Sequence, residues 1–248
     1  PSKLRVQGSS AIRDARGMYF INATGRNPHK PTQIWTQGET EANSCWFPTF
    51  DQPNAKMTQE IYLYVDTTLK TLSNGTLAFS QALGDGQRLD YWRQDQPQAP
   101  YLTFLGVGDF AVVRDNWNER EVSYWVEPEY AASAAEIFAR TPEMLTFFSE
   151  ITGVAYPWDK YAQIVVRDFV SGAMENTTAV VFNESLLGNE QAFNDRKNDQ
   201  IIAHEMFHHW FGDLVTCESW SNIALNESFA TYGEYLWWDY TYGRDEAD

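Results

Sequence analysis

The sequence predicts an α+β fold, with a β-rich portion over residues 1–115 and a mixed, helix-containing portion over residues 116–248. Three observations predict it. Up to about Trp117 the chain shows short alternating runs separated by turn residues. Near Tyr130 the apolar spacing becomes helical. Beyond Lys160, two apolar strand-like runs precede two long helical stretches. A chain of 248 residues can form one large domain or two of ordinary size, and the change of period favours two.

In chain order, Glu60-Ile-Tyr-Leu-Tyr-Val-Asp66 alternates as a half-buried strand does. Asn74-Gly75 is a turn signal of the kind that joins two strands, and Thr76-Leu-Ala-Phe79 reads as the next strand. Gly84-Asp-Gly86 and the stretch from Pro97 to Pro100 punctuate this half. Ala131 to Phe148 holds no Gly and one Pro, and is rich in Ala, Glu, Met, Leu and Phe, which predicts one or two helices. Lys160-Tyr-Ala-Gln-Ile-Val-Val-Arg167 and Thr178-Ala-Val-Val-Phe182 read as strands flanking Ser171-Gly-Ala-Met-Glu-Asn176. Helices are expected from about Asp199 to Leu214 and from about Asn222 to Asp239. There is no internal repeat and no low-complexity linker.

The net charge of −16 argues against a nucleic-acid partner, because phosphate binding needs a basic face. Most of the acidity reads as a solvated surface. No apolar run approaches the length of a membrane span. Cys45 and Cys217 are too few for a disulfide framework and lack the paired spacing of a cysteine metal site. The opening Pro1-Ser2-Lys3-Leu4-Arg5-Val6 carries neither an initiator methionine nor a signal peptide, which leaves the compartment open between cytoplasm and periplasm.

Three of the four histidines fall in His204-Glu-Met-Phe-His208-His209. Residues four apart on a helix share a face, so His204 and His208 can offer ring nitrogens to one ion. Ala203, Phe207, Trp210 and Leu214 form a separate apolar stripe that can bury the same helix. A catalytic zinc takes three protein ligands and leaves a fourth position to water. Glu227, separated from His208 by eighteen intervening residues and carried on the next helical stretch, can be the third. Glu205 is rotated roughly 100° from His204 and faces the space beside the metal, as suits a general base. Such a pentapeptide alone also occurs as an ordinary amphipathic helix. His209 is expected on the surface or behind the pair. Glu234, two turns along from Glu227, is either a carboxylate that orients a ligand or a surface charge.

With its third ligand in place, this pattern resembles that of the gluzincin zinc aminopeptidases of peptidase family M1. His208-His-Trp-Phe-Gly-Asp-Leu-Val-Thr216 and Leu225-Asn-Glu-Ser-Phe-Ala230 are similar to the family's continuations of its two ligand helices, with Ser228 where glycine is common. Gly172-Ala173-Met174-Glu175-Asn176 is similar to its exopeptidase motif, although alone it could be a strand running into a loop. Thr36-Gln-Gly-Glu39, running on to Phe47-Pro-Thr-Phe-Asp-Gln-Pro53, resembles the part of its N-terminal domain that reaches the active site.

The resemblance implies a β-rich N-terminal domain followed by a thermolysin-like catalytic domain holding one Zn2+. It implies hydrolysis of peptides with a free N-terminus: Glu39 and Glu175 bind the α-ammonium, Gln37 touches the first side chain, and residues 172–176 align the backbone. It also implies that the tyrosine stabilising the transition state lies beyond residue 248. The chain is then expected to be a piece of a larger enzyme, able to bind zinc and peptide but slow by itself. A bifunctional epoxide hydrolase/aminopeptidase is the alternative, disfavoured by Glu39 where those relatives carry glutamine. Oligomeric state and preferred N-terminal residue stay open.

Overall fold

The computed structural model describes residues 16–188 and 197–248; the opening residues 1–6 lie outside them. The first part of the chain forms strands β1 (Met18–Ile21), β2 (Gln33–Thr36), β3 (Met57–Asp66), β4 (Lys70–Ser73), β5 (Thr76–Gly84), β6 (Gln87–Gln98), β7 (Leu105–Gly108), β8 (Ala111–Trp117) and β9 (Arg120–Val126). Helices α1 (Ala131–Ile137) and α2 (Thr141–Thr152) follow, then β10 (Lys160–Val166), β11 (Ala173–Met174) and β12 (Ala179–Asn183). Helices α3 (Lys197–Phe207), α4 (Ala224–Tyr242) and α5 (Arg244–Ala247) complete the described residues. The fold is α+β, as expected. Pro142, which is tolerated only in the first turn of a helix, begins α2 and separates it from α1.

Three sheets result, ordered β1-β2-β7-β4, β3-β6-β5 and β11-β12-β10-β9-β8. The first two are antiparallel. In the third, β10 runs parallel to both β9 and β12, and β8 and β11 are antiparallel edges. Since β8 belongs to this third sheet, the division between sheets falls at residues 109–110, ahead of residue 115. Asn74-Gly75 does turn the chain, with Gly75 at φ +71°, but it joins strands of two different sheets and so is no hairpin.

Every residue of β10 is buried, the pattern of a central parallel strand covered on both faces. Tyr161 and Val165 point into a core with Phe148, Phe207, Trp210 and Trp237 of the helical side. Ala162, Ile164 and Val166 point into a second core with Trp35, Tyr101 and Phe104 of the β-rich side. The site-bearing sheet is thereby clamped between the helices and the β-rich portion.

Helix α3 ends at Phe207, short of the expected Leu214. At His209 and Trp210 the amides reach back only three residues, to Met206 and Phe207, and the chain then reverses so that Gly212 N meets Val215 O at 2.8 Å. Gly212 makes this reversal possible at φ +143°, where a Cβ would lie 2.9 Å from His208 Nδ1. Leu214 therefore leaves the apolar stripe and is 39% exposed, while Ala203, Phe207 and Trp210 are buried. Helix α4 turns Asn226, Ala230, Gly233 and Trp237 inward.

Candidate metal centre and substrate cleft

Helices α3 and α4 and the edge strand β11 border a cleft of about 390 Å3, lined by residues that include Glu39, Gly172, Ala173, Met174 and Glu175. His204, Glu205, His208, Glu227 and Glu234 add polar groups to the same lining. Gln37 and Asn176 are buried behind it: Gln37 Nε2 approaches Met174 Sδ at 3.2 Å, and the Asn176 amide has no partner among the described residues.

The backbone bond from His208 N to His204 O, 3.2 Å, keeps the two histidines in helical register. His204 Nδ1 lies 2.5 Å from Glu234 Oε1, and His208 Nδ1 lies 3.1 Å from the Phe211 carbonyl. A carboxylate and a carbonyl only accept, so both rings carry hydrogen on Nδ1 and turn a lone pair on Nε2 inward. Those Nε2 atoms are 3.1 Å apart. The Glu227 carboxylate completes the triangle, with Oε2 3.4 Å from His204 Nε2 and Oε1 3.5 Å from His208 Nε2.

A tetrahedral zinc with bonds of 2.0–2.1 Å holds its ligand atoms about 3.3–3.4 Å apart, so these residues fit that ion. Converging lone pairs beside a carboxylate also call for a positive charge among them. Glu175, Glu205 and His208 form a second close group. It suits an ion less well, because His208 Nδ1 is 4.0 Å from Glu175 and already bonded to Phe211.

The electrostatics carry the same message. Burial, then the charges of Glu175 and Glu227, push Glu39 up to about 8. Burial and Glu227 push Glu175 up to about 7, against the lowering effect of the Tyr101 hydroxyl. Burial drives Glu205 well above the usual carboxylate range. Burial opposes charge on His204, but its bonds to Glu227 and Glu234 win and raise it to about 10, placing a proton where a cation could sit. Burial and charged His204 lower His208 to about 4. Crowded carboxylates with raised pKa values mark a cleft short of positive charge.

His209 is no surface residue. It is buried, with Nδ1 donating to Glu205 O at 3.2 Å and Nε2 accepting from Thr178 N at 3.2 Å, so it joins α3 to the segment that follows Glu175. Of the two alternatives for Glu234, the contact with His204 Nδ1 selects the orienting carboxylate. Sequence reasoning missed Gln200, Ile201 and Ser171 in the cleft wall, and Tyr101 behind it. Gln200, one helical turn before His204, could have been found from its spacing; Tyr101 gave no local signal.

Two helices bring His204, His208 and Glu227 together beside the edge strand of a mixed sheet, which defines the class: a cleft whose residues could hold one metal ion. Comparison with known proteins narrows that class. Residues 3–102 match the peptidase M1 N-terminal domain and residues 137–248 the peptidase family M1 domain. The chain belongs to peptidase family M1. It is 33% identical over 243 residues to aminopeptidase M1 of Arabidopsis thaliana, covering 94% of this chain and 27% of that protein. It is 31% identical over 225 residues to glutamyl aminopeptidase of Bos taurus, covering 89% and 23%. Probable aminopeptidase 1 of Sulfurisphaera tokodaii is 29% identical over 237 residues, covering 94% and 29%. The chain thus spans about a quarter of the length of these relatives. Among the described residues, no helix is long and apolar enough to cross a membrane.

Proposed function

We propose that this chain carries the zinc-binding and amine-anchoring parts of an aminopeptidase that releases single residues from peptide N-termini. The observation that carries the reading is the triangle of His204 Nε2, His208 Nε2 and Glu227, with both Nδ1 atoms already engaged. His204, His208 and Glu227 would hold Zn2+, which when bound polarises a carbonyl and lowers the pKa of its water to about 7.

Glu205 Oε2 is buried without a protein partner among the described residues, in keeping with a base that takes a proton from the attacking water and returns it to the leaving amine. Glu39 and Glu175 bind the α-ammonium, whose charge relieves their mutual repulsion. The edge strand β11 offers backbone pairing to the peptide, and Met174, backed by Gln37, borders the first side chain. A closed end lined by carboxylates lets the peptide extend in one direction only, which explains removal of single residues. The β-rich portion contributes Glu39, and we place the boundary between the portions at residues 109–110.

Elemental analysis after dialysis tests the metal assignment: the wild type should hold close to one zinc per chain and Glu227→Ala almost none. A wild type that takes up no zinc when zinc is supplied would sink the ligand assignment. Equal cleavage of a peptide and its N-acetylated form would sink the amine anchor.

A further inference from the structure

Tyr101 belongs to none of the motifs above, yet the structure builds a socket for it. It is 1% exposed and sits in the turn Pro100–Leu102 of the β-rich portion. Two buried asparagines take the carbonyls of that turn. Asn43 Nδ2 is shared among Pro100 O, Tyr101 O and Thr103 O at 2.8, 3.2 and 3.2 Å. Asn74 Nδ2 donates to Leu102 O at 2.8 Å and to Thr177 O at 2.7 Å, while its Oδ1 accepts from Phe104 N at 2.7 Å. The Tyr101 ring stands edge-on to Trp220, with centroids 4.9 Å apart. A turn held on both sides, with its side chain packed, delivers the hydroxyl to a set point.

At that point the hydroxyl donates to Glu175 Oε1 at 3.0 Å and accepts from Asn226 Nδ2 at 3.1 Å. Asn226 precedes Glu227 on α4, and its Oδ1 accepts from Cys217 N at 3.1 Å. The same turn also bears on the loop carrying Glu39, because a Cβ at Gly38 would lie 2.2 Å from Tyr101 O. Glu39, Glu175 and Glu227, which come from three separate segments, are therefore all referenced to one tyrosine. We infer that Tyr101 is a positioning residue for amine recognition: its hydroxyl sets the Glu175 carboxylate relative to α4, and hence the depth at which a substrate's α-ammonium binds. The inference rests on the reading of Glu175 as part of the amine anchor.

A double-mutant cycle on the zinc-loaded enzyme tests it, with whichever of alanine and leucine p-nitroanilide the wild type cleaves faster. Tyr101→Phe removes only the hydroxyl and should raise KM about tenfold with kcat within about threefold, the scale of one bond to a charged group. Glu175→Gln should raise KM at least as much, and Tyr101→Phe added to it should change KM by less than about twofold, because the two act through one interaction. Zinc content should stay at the wild-type value and the chain should stay folded, with a lowered unfolding midpoint because Asn226 Nδ2 loses its acceptor. An unchanged KM, a loss confined to kcat, or a full additional effect in the Glu175→Gln background overturns the positioning role. Loss of zinc or of the folded state would make Tyr101 a packing residue. If Glu175→Gln itself left KM unaltered, the amine anchor would fail first, and the role of Tyr101 with it.

Discussion

A histidine becomes useful to a cation only when its other nitrogen is already committed, and both inward-facing histidines here meet that condition. Glu234 holds His204, and the Phe211 carbonyl holds His208. Glu205 Oε2 is buried and has no hydrogen-bond partner among the described residues. Glu205→Gln keeps shape and burial while removing the basic oxygen. It should retain zinc and lower turnover by about 10²- to 10⁴-fold; undiminished turnover would remove Glu205 from the mechanism. His204, Glu205 and His208 were legible in the sequence because their geometry is local, set by the rise and rotation of one helix. Glu39 and Glu175 were legible only through resemblance, since nothing in their own segments says that the chain will bring them together.

The pair of helices, more than either alone, makes the centre. Glycine in a helix interior costs about 1 kcal/mol relative to alanine, so Gly233 needs a reason. It is contact with α3: a Cβ there would lie 2.6 Å from Phe207 Cγ and 2.7 Å from Phe207 Cβ, too near the backbone to swing aside. Gly233→Ala should therefore push the helices apart despite its better propensity, costing roughly 1–3 kcal/mol in urea unfolding. Because Glu227 and Glu234 ride on α4, the same variant should bind zinc about 10- to 100-fold more weakly in a competition titration. A variant as stable and as tight as wild type would show that the contact does not set the spacing. The early end of α3 was not legible. The apolar stripe runs on to Trp210, and only the reversal at Gly212 reveals where the helix stops.

At the scale of the whole molecule, the β-rich portion contributes Glu39 to the cleft and covers one face of the sheet. Lys160 shows how closely the two parts are joined. Its buried ammonium donates to Ser73 O at 2.9 Å and to Thr178 Oγ1 at 3.0 Å, and faces the Trp92 ring at 5.3 Å. Burial lowers it to about 7, outweighing the pull of Glu121 and Asp159. Between that value and the ordinary lysine range the unfolded chain holds more protons than the folded one, so stability rises with pH there. The penalty is complete below about pH 7 and fades as the pH climbs toward about 10.4. Relative to Lys160→Met, the wild type should gain up to a few kcal/mol between pH 7 and 9.5 in urea unfolding. Parallel curves for the two proteins would show that Lys160 is not held in this way.

The sequence by itself determined the class of fold, the helical pair of histidines and the family, because periodicity and short spacings are properties of adjacent residues. Tertiary structure alone decided which polar groups behind the site support it. Asn74 reads as half of a hairpin turn, yet its amide joins the turn of Tyr101 to the segment after Glu175. His209 reads as a neighbour of two ligands, yet it is sealed between α3 and Thr178. A buried polar group must find a partner wherever the chain brings one, and Asn226 finds the Tyr101 hydroxyl 125 residues away. No local pattern encodes a bond of that length; the packing of the two portions does.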